Sequence, residues 1–578
     1  ASEIISTQAL LKLPKGTEHF MSDLHGENEA FVHILNSASG VIREKVDLVL
    51  GEAIPEQTRA ELATLIYYPN EKLPQLKNRC TSEEALDQWY TDTLLRLIDI
   101  CRLVSSKHTR DHVRQCLPAS CGYILDELLH AHFEDHDKDL YYGQIVGSII
   151  ENGRADRFIV RLCELIKHLA VDKLHIVGDL FDRGPRPDII LDLLLRHHNV
   201  DIQWGNHDVV WMGAAAGSPI CICTVLKTTL AYHNHGMLED CYGINLRHLQ
   251  RMAEQFYGND DLSIWMPHTD AARGPYTRGM LHRCAVMHKA ISILMFKLEC
   301  HVIDRNPDFQ MQERDYLRRI DWEKHTVKIG EKEYPLRDTS FPTVDPADPA
   351  ALHPDEQLVL RKLVQSFRQS EKLQQHVEFL YAKGSVYHIE NGNLLYHGAV
   401  PMTSRGTFAM ERFEGRYYSG RALMDYCDAR ARRGYYAPEG SAARQSGAVH
   451  AHGIAPDHAV DEICTRQRRR VGNAREIDRE IPVGDKSAVF DEHSVVRIER
   501  PVAVVGRAED IIRIDDGNDL CRLMQEEGAA RDVDARGTFG SERQRPVDGN
   551  AVPFRAAHGD PVALCGDDRL VPLGGVFL

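Results

Sequence analysis

The sequence predicts an α/β protein, because three apolar, strand-like runs are each followed at once by a short polar motif. The runs lie at residues 20–21, 174–177 and 200–204. A side chain just beyond a strand lies at the mouth of a sheet, where α/β proteins place their chemistry. Helical periodicity in the long segments between the runs supplies the second type of element. We therefore expect a sheet with helices around it and a functional site at one edge.

The three motifs contain Asp, His and Asn side chains of the kind that bind divalent metals. They read Asp-Leu-His-Gly-Glu at residues 23–27, Gly-Asp-Leu-Phe-Asp-Arg-Gly at 178–184 and Gly-Asn-His-Asp at 205–208. Carboxylate and amide oxygens favour Mn or Mg, and imidazoles favour Fe or Zn. Each motif alone also occurs by chance on protein surfaces. Their joint occurrence in this order predicts one metal site.

Helical spacing dominates the segment between the first two motifs. Apolar residues recur at this spacing over residues 84–104 and again over 141–169, so residues 28–170 are predicted to be mostly helical. Residues 171–215 then predict two strands with a helix between them at 188–196, which is a β-α-β unit. Residues 216–300 are predicted to form helices with loops.

The next part of the chain alternates between polar and periodic segments. Residues 301–355 are polar, and the Pro- and Asp-rich stretch at 341–349 predicts a surface connection. Residues 353–382 predict a long amphipathic helical region. Residues 385–396 predict a β-hairpin that turns at Asn391-Gly392 and delivers His397.

Composition limits the class of protein. The chain has 578 residues, enough for two to four domains, and its 43% apolar and 27% charged content is ordinary for a soluble globular protein. It has no run of 18 apolar residues and no signal-like pattern in residues 1–15, so we expect a cytoplasmic protein without a membrane partner. The 14 scattered cysteines are then expected to be reduced, with Cys221 and Cys223 as buried thiols.

The net charge of −16 argues against a nucleic-acid partner. It does not argue against a phosphorylated substrate, because metals and local arginines override the global charge. The sequence is compatible with a homo-oligomer but does not determine the number of subunits.

The motif order resembles the calcineurin-like metallophosphoesterases, and most closely the class III fructose-1,6-bisphosphatases. The likeness covers roughly residues 4–445 and rests on the segments at 20–27, 175–185, 203–208, 396–398 and 417–423. It implies a metallophosphatase-type β-sandwich flanked by helices, with a large helical insertion. The core would comprise residues 1–27 and 171–445, the insertion residues 28–170, and residues 446–578 stay unrecognised.

The same resemblance implies hydrolysis of fructose 1,6-bisphosphate to fructose 6-phosphate and phosphate, a step of gluconeogenesis. Two Mn²⁺ ions, with Fe or Zn as alternatives, would activate water and neutralise the phosphoryl oxygens. Asp23, His25 and Asp179 would hold the first ion. Asp179, Asn206 and His397 would hold the second, with Asp179 bridging the two.

Three further residues receive roles from the resemblance. His207 would protonate the leaving oxygen, Asp182 would hydrogen-bond His207, and Arg183 would hold the phosphoryl group through its planar fork. His233 and His235 have no partner motif and are expected to be structural or substrate-side residues. Solvated surface charge is the expected role of the arginines that follow His397, namely Arg405, Arg412 and Arg416.

The chain also departs from the family pattern. The family has a further metal-binding histidine in a Gly-His-Val-Pro segment, which neither residues 451–453 nor residues 557–559 match. A catalytically impaired relative that binds metal or sugar phosphate is therefore one alternative. A Ser/Thr-type protein phosphatase is the other, although the insertion at 28–170 would be foreign to it.

The composition changes towards the C-terminus. Residues 431–578 contain 20 Arg but a single Lys, Lys486, with no Trp and no Tyr after Tyr436. A translation in a shifted frame, or an unrelated fragment, would have this composition. We expect that this segment is not a natural family C-terminus, and the alternative is a divergent C-terminal domain.

Overall fold

The computed structural model describes residues 2–129, 139–269, 274–307, 311–403 and 405–437. The expectations for residues 446–578, including the histidines at 452 and 558, lie outside the described residues. Within them, helices and strands alternate, and the main sheet is parallel, which confirms the predicted α/β class.

A four-stranded parallel sheet holds the three motifs at one edge. Its strands, in spatial order, are β1 (Glu18–Ser22), β2 (Lys173–Val177), β3 (Val200–Gln203) and β7 (Gly384–Ser385). The register aligns Ser22 with Val177, and Val177 with Gln203, so the three longer strands end level with one another. The predicted strands are confirmed, and each metal motif starts just past this common edge.

The predicted β-α-β unit is also confirmed. Helix α11 (Pro187–Leu194) connects β2 to β3 and begins with Pro187, a residue whose fixed φ suits the first helical turn. Its apolar side chains Ile190, Leu191 and Leu194 are fully buried. They share one hydrophobic core with the inward side chains of the sheet.

The segment between β1 and β2 is helical, as predicted. A short helix α1 (Ser2–Leu10) precedes β1, and nine helices follow it among the described residues: α2 (Asn28–Ser37), α3 (Val41–Leu50), α4 (Glu56–Tyr67), α5 (Pro69–Lys77), α6 (Glu83–Ser105), α7 (Arg110–Cys116), α8 (Gly122–Leu129), α9 (Asp139–Glu151) and α10 (Ala155–Ala170). The periodic stretch at 141–169 is two helices, because Gly153 turns the chain with a φ of 64°. Helices α3–α10 enclose a hydrophobic core of their own, whereas Phe31 of α2 packs in the core of the sheet.

The helices predicted for residues 216–300 are confirmed. After β3 come α12 (Asn206–Ala215), α13 (Pro219–Ala231), α14 (Gly236–Asp240), α15 (Arg247–Tyr257) and α16 (Arg278–Arg305). Helix α16 is buried along most of its length, including Lys289 and Lys297. Cys221 and Cys223 are buried free thiols in α13, as expected, and burial raises the pKa of Cys221 to about 12.

The expectation of a surface connection at residues 341–349 is wrong in part. Residues 345–348 are exposed, but Thr343 and Val344 are buried, and the Lys297 ammonium donates a 2.6 Å hydrogen bond to the Thr343 carbonyl. The Pro-rich segment has no periodicity that could signal this burial. A small antiparallel sheet precedes it, formed by β4 (Ile320–Asp321), β5 (Thr326–Ile329) and β6 (Lys332–Pro335).

The last described elements lead to His397. The predicted helical region at 353–382 consists of α17 (Pro354–Gln369) and α18 (Glu371–Lys383), which Ser370 separates by capping the second helix. The predicted hairpin is confirmed as β8 (Tyr387–Glu390) and β9 (Asn393–Tyr396), and Asn391 and Gly392 both adopt positive φ in its turn. A second hairpin and a helix follow: β10 (Glu411–Phe413), β11 (Arg416–Tyr418) and α19 (Gly420–Tyr436).

Among the helices in the described part of the chain, none is both long enough and apolar enough to cross a membrane.

Candidate metal centre

The loops after β1 and β2 are joined by backbone hydrogen bonds. The Asp23 amide donates to the Gly178 carbonyl at 3.1 Å, and the His25 amide donates to the Asp179 carbonyl at 2.7 Å. The Gly184 amide returns a bond to the His25 carbonyl at 2.6 Å. These bonds hold the first two motifs against each other although about 150 residues separate them in sequence.

Asp23, His25 and Asp179 form a group that could hold a metal ion. One ligand atom from each side chain lies within 4.8 Å of the other two. Asp179 is buried, whereas Asp23 and His25 are partly exposed. Two carboxylates and one imidazole suit Mn, Fe or Zn, so the donor set fits the expected first ion.

His397 reaches Asp179 from the hairpin. Its Nε2 lies 3.2 Å from Asp179 Oδ2, and its Nδ1 lies 2.9 Å from the Val177 carbonyl at the end of β2. A bond from Nδ1–H to a carbonyl is the arrangement that orients a metal-binding histidine through its other nitrogen. Asp179 and His397, two of the three residues expected to hold the second ion, therefore lie in contact.

Electrostatic coupling within this pair is strong. Burial lowers the pKa of His397, but the Asp179 carboxylate outweighs this effect and raises the pKa to about 10. Burial likewise opposes ionisation of Asp179, and the imidazoles of His397, His207 and His25 overcome it and hold the Asp179 pKa well below its usual range. The lowered pKa keeps the Asp179 carboxylate in its ionised form, which is the form that binds a cation.

The third motif begins helix α12. Asn206 is its first residue and is partly exposed. The His207 amide donates to Asp179 Oδ1 at 3.2 Å, which ties the helix start to the buried carboxylate. Gly205 approaches the Asp179 side chain so closely that a Cβ at this position would collide with it.

Asp182 lies among three basic side chains. Its Oδ1 is 3.4 Å from His207 Nδ1, and its Oδ2 is 3.4 Å from His25 Nδ1 and 3.2 Å from Arg183 Nε. The rings of His25 and His207 stand edge to face, with centroids 5.8 Å apart. The three residues that the sequence selected for chemistry, namely His207, Asp182 and Arg183, are therefore brought together beside the metal ligands.

Arg183 lies at the open side of the centre. Its side chain is 48% exposed, and its guanidinium lies over the Tyr232 ring at 5.9 Å from the centroid. The Asn234 side chain donates to the Arg183 carbonyl, so the loop with His233 and His235 lies beside Arg183. The arginines Arg405, Arg412 and Arg416 are all exposed, as expected for surface charge.

Asp208 is the motif residue to which sequence reasoning assigned no role. Its fully buried carboxylate accepts four backbone N–H bonds, at 2.8–3.2 Å, from Gly205, Asp179, Leu180 and Phe181. Burial and the neighbouring Asp179 raise the pKa of Asp208 to about 7, although the amide donors oppose this. An acidic residue in the first turn of a helix was the available signal.

Backbone strain concentrates at this centre. Asp23, His25, Asp179 and Asp182 all have positive φ, between 45° and 133°. Such conformations cost free energy in residues with a Cβ and persist where the surrounding structure imposes them, often at functional sites. Three of the four, Asp23, His25 and Asp179, are the candidate metal ligands, and Asp182 lies beside His207, so the strain is localised where the chemistry is expected.

A family model matches most of the chain. The family model described as "Firmicute fructose-1,6-bisphosphatase" matches residues 1–450. The chain belongs to this fructose-1,6-bisphosphatase family. The match includes every motif residue at the metal centre, and it confirms the resemblance read from the sequence.

Curated relatives carry the same family name. A protein named "Fructose-1,6-bisphosphatase class 3" from Clostridium novyi is 47% identical over 445 residues, which cover 77% of this chain and 66% of the relative. Relatives of the same name from Bacteroides thetaiotaomicron and Clostridium acetobutylicum are each 47% identical, over 76% of this chain and 66% of their own length. The chain thus spans slightly less than two thirds of these relatives. No solved structure matches it.

Proposed function

We propose that the chain is a metal-dependent phosphatase that hydrolyses fructose 1,6-bisphosphate to fructose 6-phosphate and phosphate. The observation that carries the proposal is the convergence of Asp23, His25, Asp179 and His397 at one sheet edge, with Arg183 at its open side. Membership of the fructose-1,6-bisphosphatase family supports the choice of substrate.

The donor set supports two metal sites that share Asp179. Asp23, His25 and Asp179 would hold one ion, and Asp179, Asn206 and His397 the other, with Mn²⁺ as the proposed metal and Fe or Zn as alternatives. Bound metal ions supply Lewis-acid chemistry, since they neutralise phosphoryl oxygens and make water more acidic. Only Asp179 is common to both sites, so its carboxylate is the residue on which metal binding depends most.

Three side chains would act on the substrate directly or through a neighbour. Arg183 would bind the phosphoryl oxygens with its exposed guanidinium. His207 would donate a proton to the leaving sugar oxygen, because that oxygen is otherwise expelled as a basic alkoxide. Asp182 would hold His207 by its Nδ1, which leaves Nε2 as the nitrogen that carries the proton to the substrate.

The wider architecture is proposed on the same basis. The parallel sheet would be one layer of a metallophosphatase-type β-sandwich, with the helices α2–α10 as an insertion at residues 28–170 and the core at residues 1–27 and 171–445. The division is supported by the separate hydrophobic clusters of the sheet region and of helices α3–α10, with Phe31 of α2 packing against the sheet region. Residues 446–578 stay outside both parts.

The test measures phosphate release from fructose 1,6-bisphosphate by the full chain, after removal of metals and with or without added Mn²⁺. We expect Mn²⁺-dependent release that Asp179→Ala abolishes and that Asp240→Ala, at an exposed position outside the proposed ligand set, leaves intact. No release by folded wild-type chain would contradict the proposal. That outcome would favour a relative that binds metal or sugar phosphate without turning it over, as the unmatched histidine segment suggests.

A phosphopeptide assay addresses the remaining alternative. A Ser/Thr-type protein phosphatase would release phosphate from the peptide faster than from fructose 1,6-bisphosphate under the same Mn²⁺ concentration. We expect the reverse order, because the relatives that match the chain are named for the sugar bisphosphate. Faster turnover of the peptide would overturn the proposed substrate while leaving the metal chemistry intact.

A further inference from the structure

A second group of metal-type side chains lies at the opposite end of the sheet. His108, His112 and Asp172 each present a ligand atom, and these three atoms lie within 4.8 Å of one another. Asp172 directly precedes β2, whereas the candidate metal centre follows the other end of that strand. At about 3.3 Å per residue, the five-residue strand separates the two places by roughly 15 Å.

His108 is oriented as a metal-binding histidine is. Its Nε2 lies 3.0 Å from the Leu169 carbonyl and donates to it, so Nδ1 is the nitrogen that faces a ligand position. That Nδ1 lies 3.3 Å from Asp172 Oδ1. Two ligands of one tetrahedral zinc, with bonds near 2.1 Å, lie about 3.4 Å apart. The second ring nitrogen is thus already bonded to a backbone carbonyl, which is the usual support for a ligating imidazole.

Asp172 is positioned in the same manner. Its Oδ2 accepts a 2.6 Å hydrogen bond from the Thr17 amide, and Oδ1 is the oxygen that faces His108. Gly16 leaves the space for this carboxylate, because a Cβ there would come within 2.5 Å of the Asp172 Cγ. The nearby ammonium of Lys107 donates to Thr17 Oγ1 at 2.8 Å. One carboxylate oxygen is anchored, and the other is directed at the imidazole.

His112 completes the group from helix α7. It lies four residues after His108, and its ring stacks on the His108 ring with centroids 5.0 Å apart. His112 is exposed, so its ring can turn towards the other two ligands. Cys116, one turn further along α7, has its Sγ 3.8 Å from His112 Nε2, and a thiolate is a ligand for the same class of cation.

We propose that His108, His112 and Asp172 bind one Zn²⁺ ion, with the fourth position open to Cys116 or water. Two imidazoles and one carboxylate select a first-row transition cation over Mg²⁺ or Ca²⁺. The ion connects helix α7 of the helical insertion to Asp172, which precedes β2. Through the Thr17 amide on Asp172, it is also linked to the start of β1. Its role is structural, because the strands separate it from the candidate metal centre. This inference does not depend on the proposed phosphatase activity.

The test counts zinc in the full chain. Protein from which a chelator has removed all metal is equilibrated with Zn²⁺ and separated from free metal. Its zinc content is then measured by elemental mass spectrometry. We expect His112→Ala and Asp172→Asn each to hold one zinc equivalent less than the wild type. His248→Ala removes an equally exposed histidine in the first turn of another helix and should keep the wild-type count.

Zinc is one of the ions expected at the candidate metal centre, so a variant that lacks Asp179 is used to separate the two sites. In Asp179→Ala protein, added Zn²⁺ should still raise the melting temperature, and this rise should disappear when His112→Ala is combined with it. Equal zinc counts in the wild type and His112→Ala would overturn the proposal. The contact between His108 and Asp172 would then be an ion pair only. Since His112 is exposed, its replacement tests the site without threatening the fold.

Discussion

At the scale of the residue, Asp208 shows how a side chain that is not a proposed metal ligand can organise a site through hydrogen bonds to the backbone. Its carboxylate accepts amide bonds from both the second and the third motif. Asp208 thus accepts the N–H groups of the loop after β2, and these bonds hold the loop in its strained conformation. Without this carboxylate, several buried amide donors would have no acceptor.

We predict that Asp208→Ala lowers the free energy of unfolding by at least about 3 kcal/mol, since each unsatisfied buried donor costs about 1–3 kcal/mol. Urea unfolding followed by circular dichroism measures this change. Asp240→Ala, an exposed carboxylate at the end of α14, should stay within about 0.5 kcal/mol of the wild type. Equal midpoints for the two variants would show that the amide bonds to Asp208 contribute little.

Two glycines are required for different reasons: Gly205 because another side chain packs closely against it, and Gly153 because of its backbone conformation. A Cβ at Gly205 would collide with the Asp179 carboxylate, whereas a Cβ at Gly153 would meet no atom within 4 Å. Gly153 instead has a φ of 64°, so a side chain there costs only backbone strain. The two positions therefore predict different losses.

We predict that Gly205→Ala weakens Mn²⁺ binding at least tenfold, because it displaces the carboxylate that both ions would share. Gly153→Ala should destabilise the fold by about 1 kcal/mol and leave Mn²⁺ affinity unchanged. Titration calorimetry with Mn²⁺ and thermal unfolding distinguish the two effects. Unchanged Mn²⁺ affinity in Gly205→Ala would refute the shared role of Asp179.

At the scale of the element, α16 and α17 are joined by a buried ion pair. Lys297 Nζ lies 3.1 and 2.8 Å from the two carboxylate oxygens of Glu356, and both side chains are at most 1% exposed. Glu356 Oε2 also accepts the His353 amide at 2.7 Å, which caps the start of α17. One carboxylate thus caps the start of α17 and pairs with a lysine of α16.

We predict that Lys297→Met destabilises the protein by about 3–5 kcal/mol, because it leaves the Glu356 carboxylate buried without its cation. Adding Glu356→Gln should recover part of this loss, since glutamine is neutral and can still accept the His353 amide. Denaturant unfolding of the two single variants and the double variant measures the coupling. Additive losses would mean that the pair does not hold the helices together.

At the scale of the whole molecule, two hydrophobic cores lie side by side. One contains the sheet and the helices after β3, and the other lies within the helical segment between β1 and β2. Leu226 is fully buried in the first core and Leu162 in the second. Distinct cores favour distinct units of local unfolding.

We predict that Leu162→Ala, at a cost of about 2–5 kcal/mol, speeds hydrogen exchange in α4, α6 and α10 but not in α13 and α16. Leu226→Ala should have the opposite effect. Hydrogen exchange followed by mass spectrometry resolves the two regions. If both variants accelerate exchange everywhere, the chain unfolds as a single unit, and the division at residues 28–170 has no energetic counterpart.

The sequence alone determined the main elements around the candidate site, their order and the family. Apolar runs predicted β1, β2 and β3, helical spacing predicted α6, and Asn391-Gly392 predicted the turn before His397, because these signals depend on neighbours in the chain. Only the tertiary structure decided which distant groups meet. His397 contacts a carbonyl 220 residues away in sequence, Asp208 binds the loop after β2, and Asp172 faces His108. Such contacts depend on how whole elements pack, and no local pattern encodes that packing.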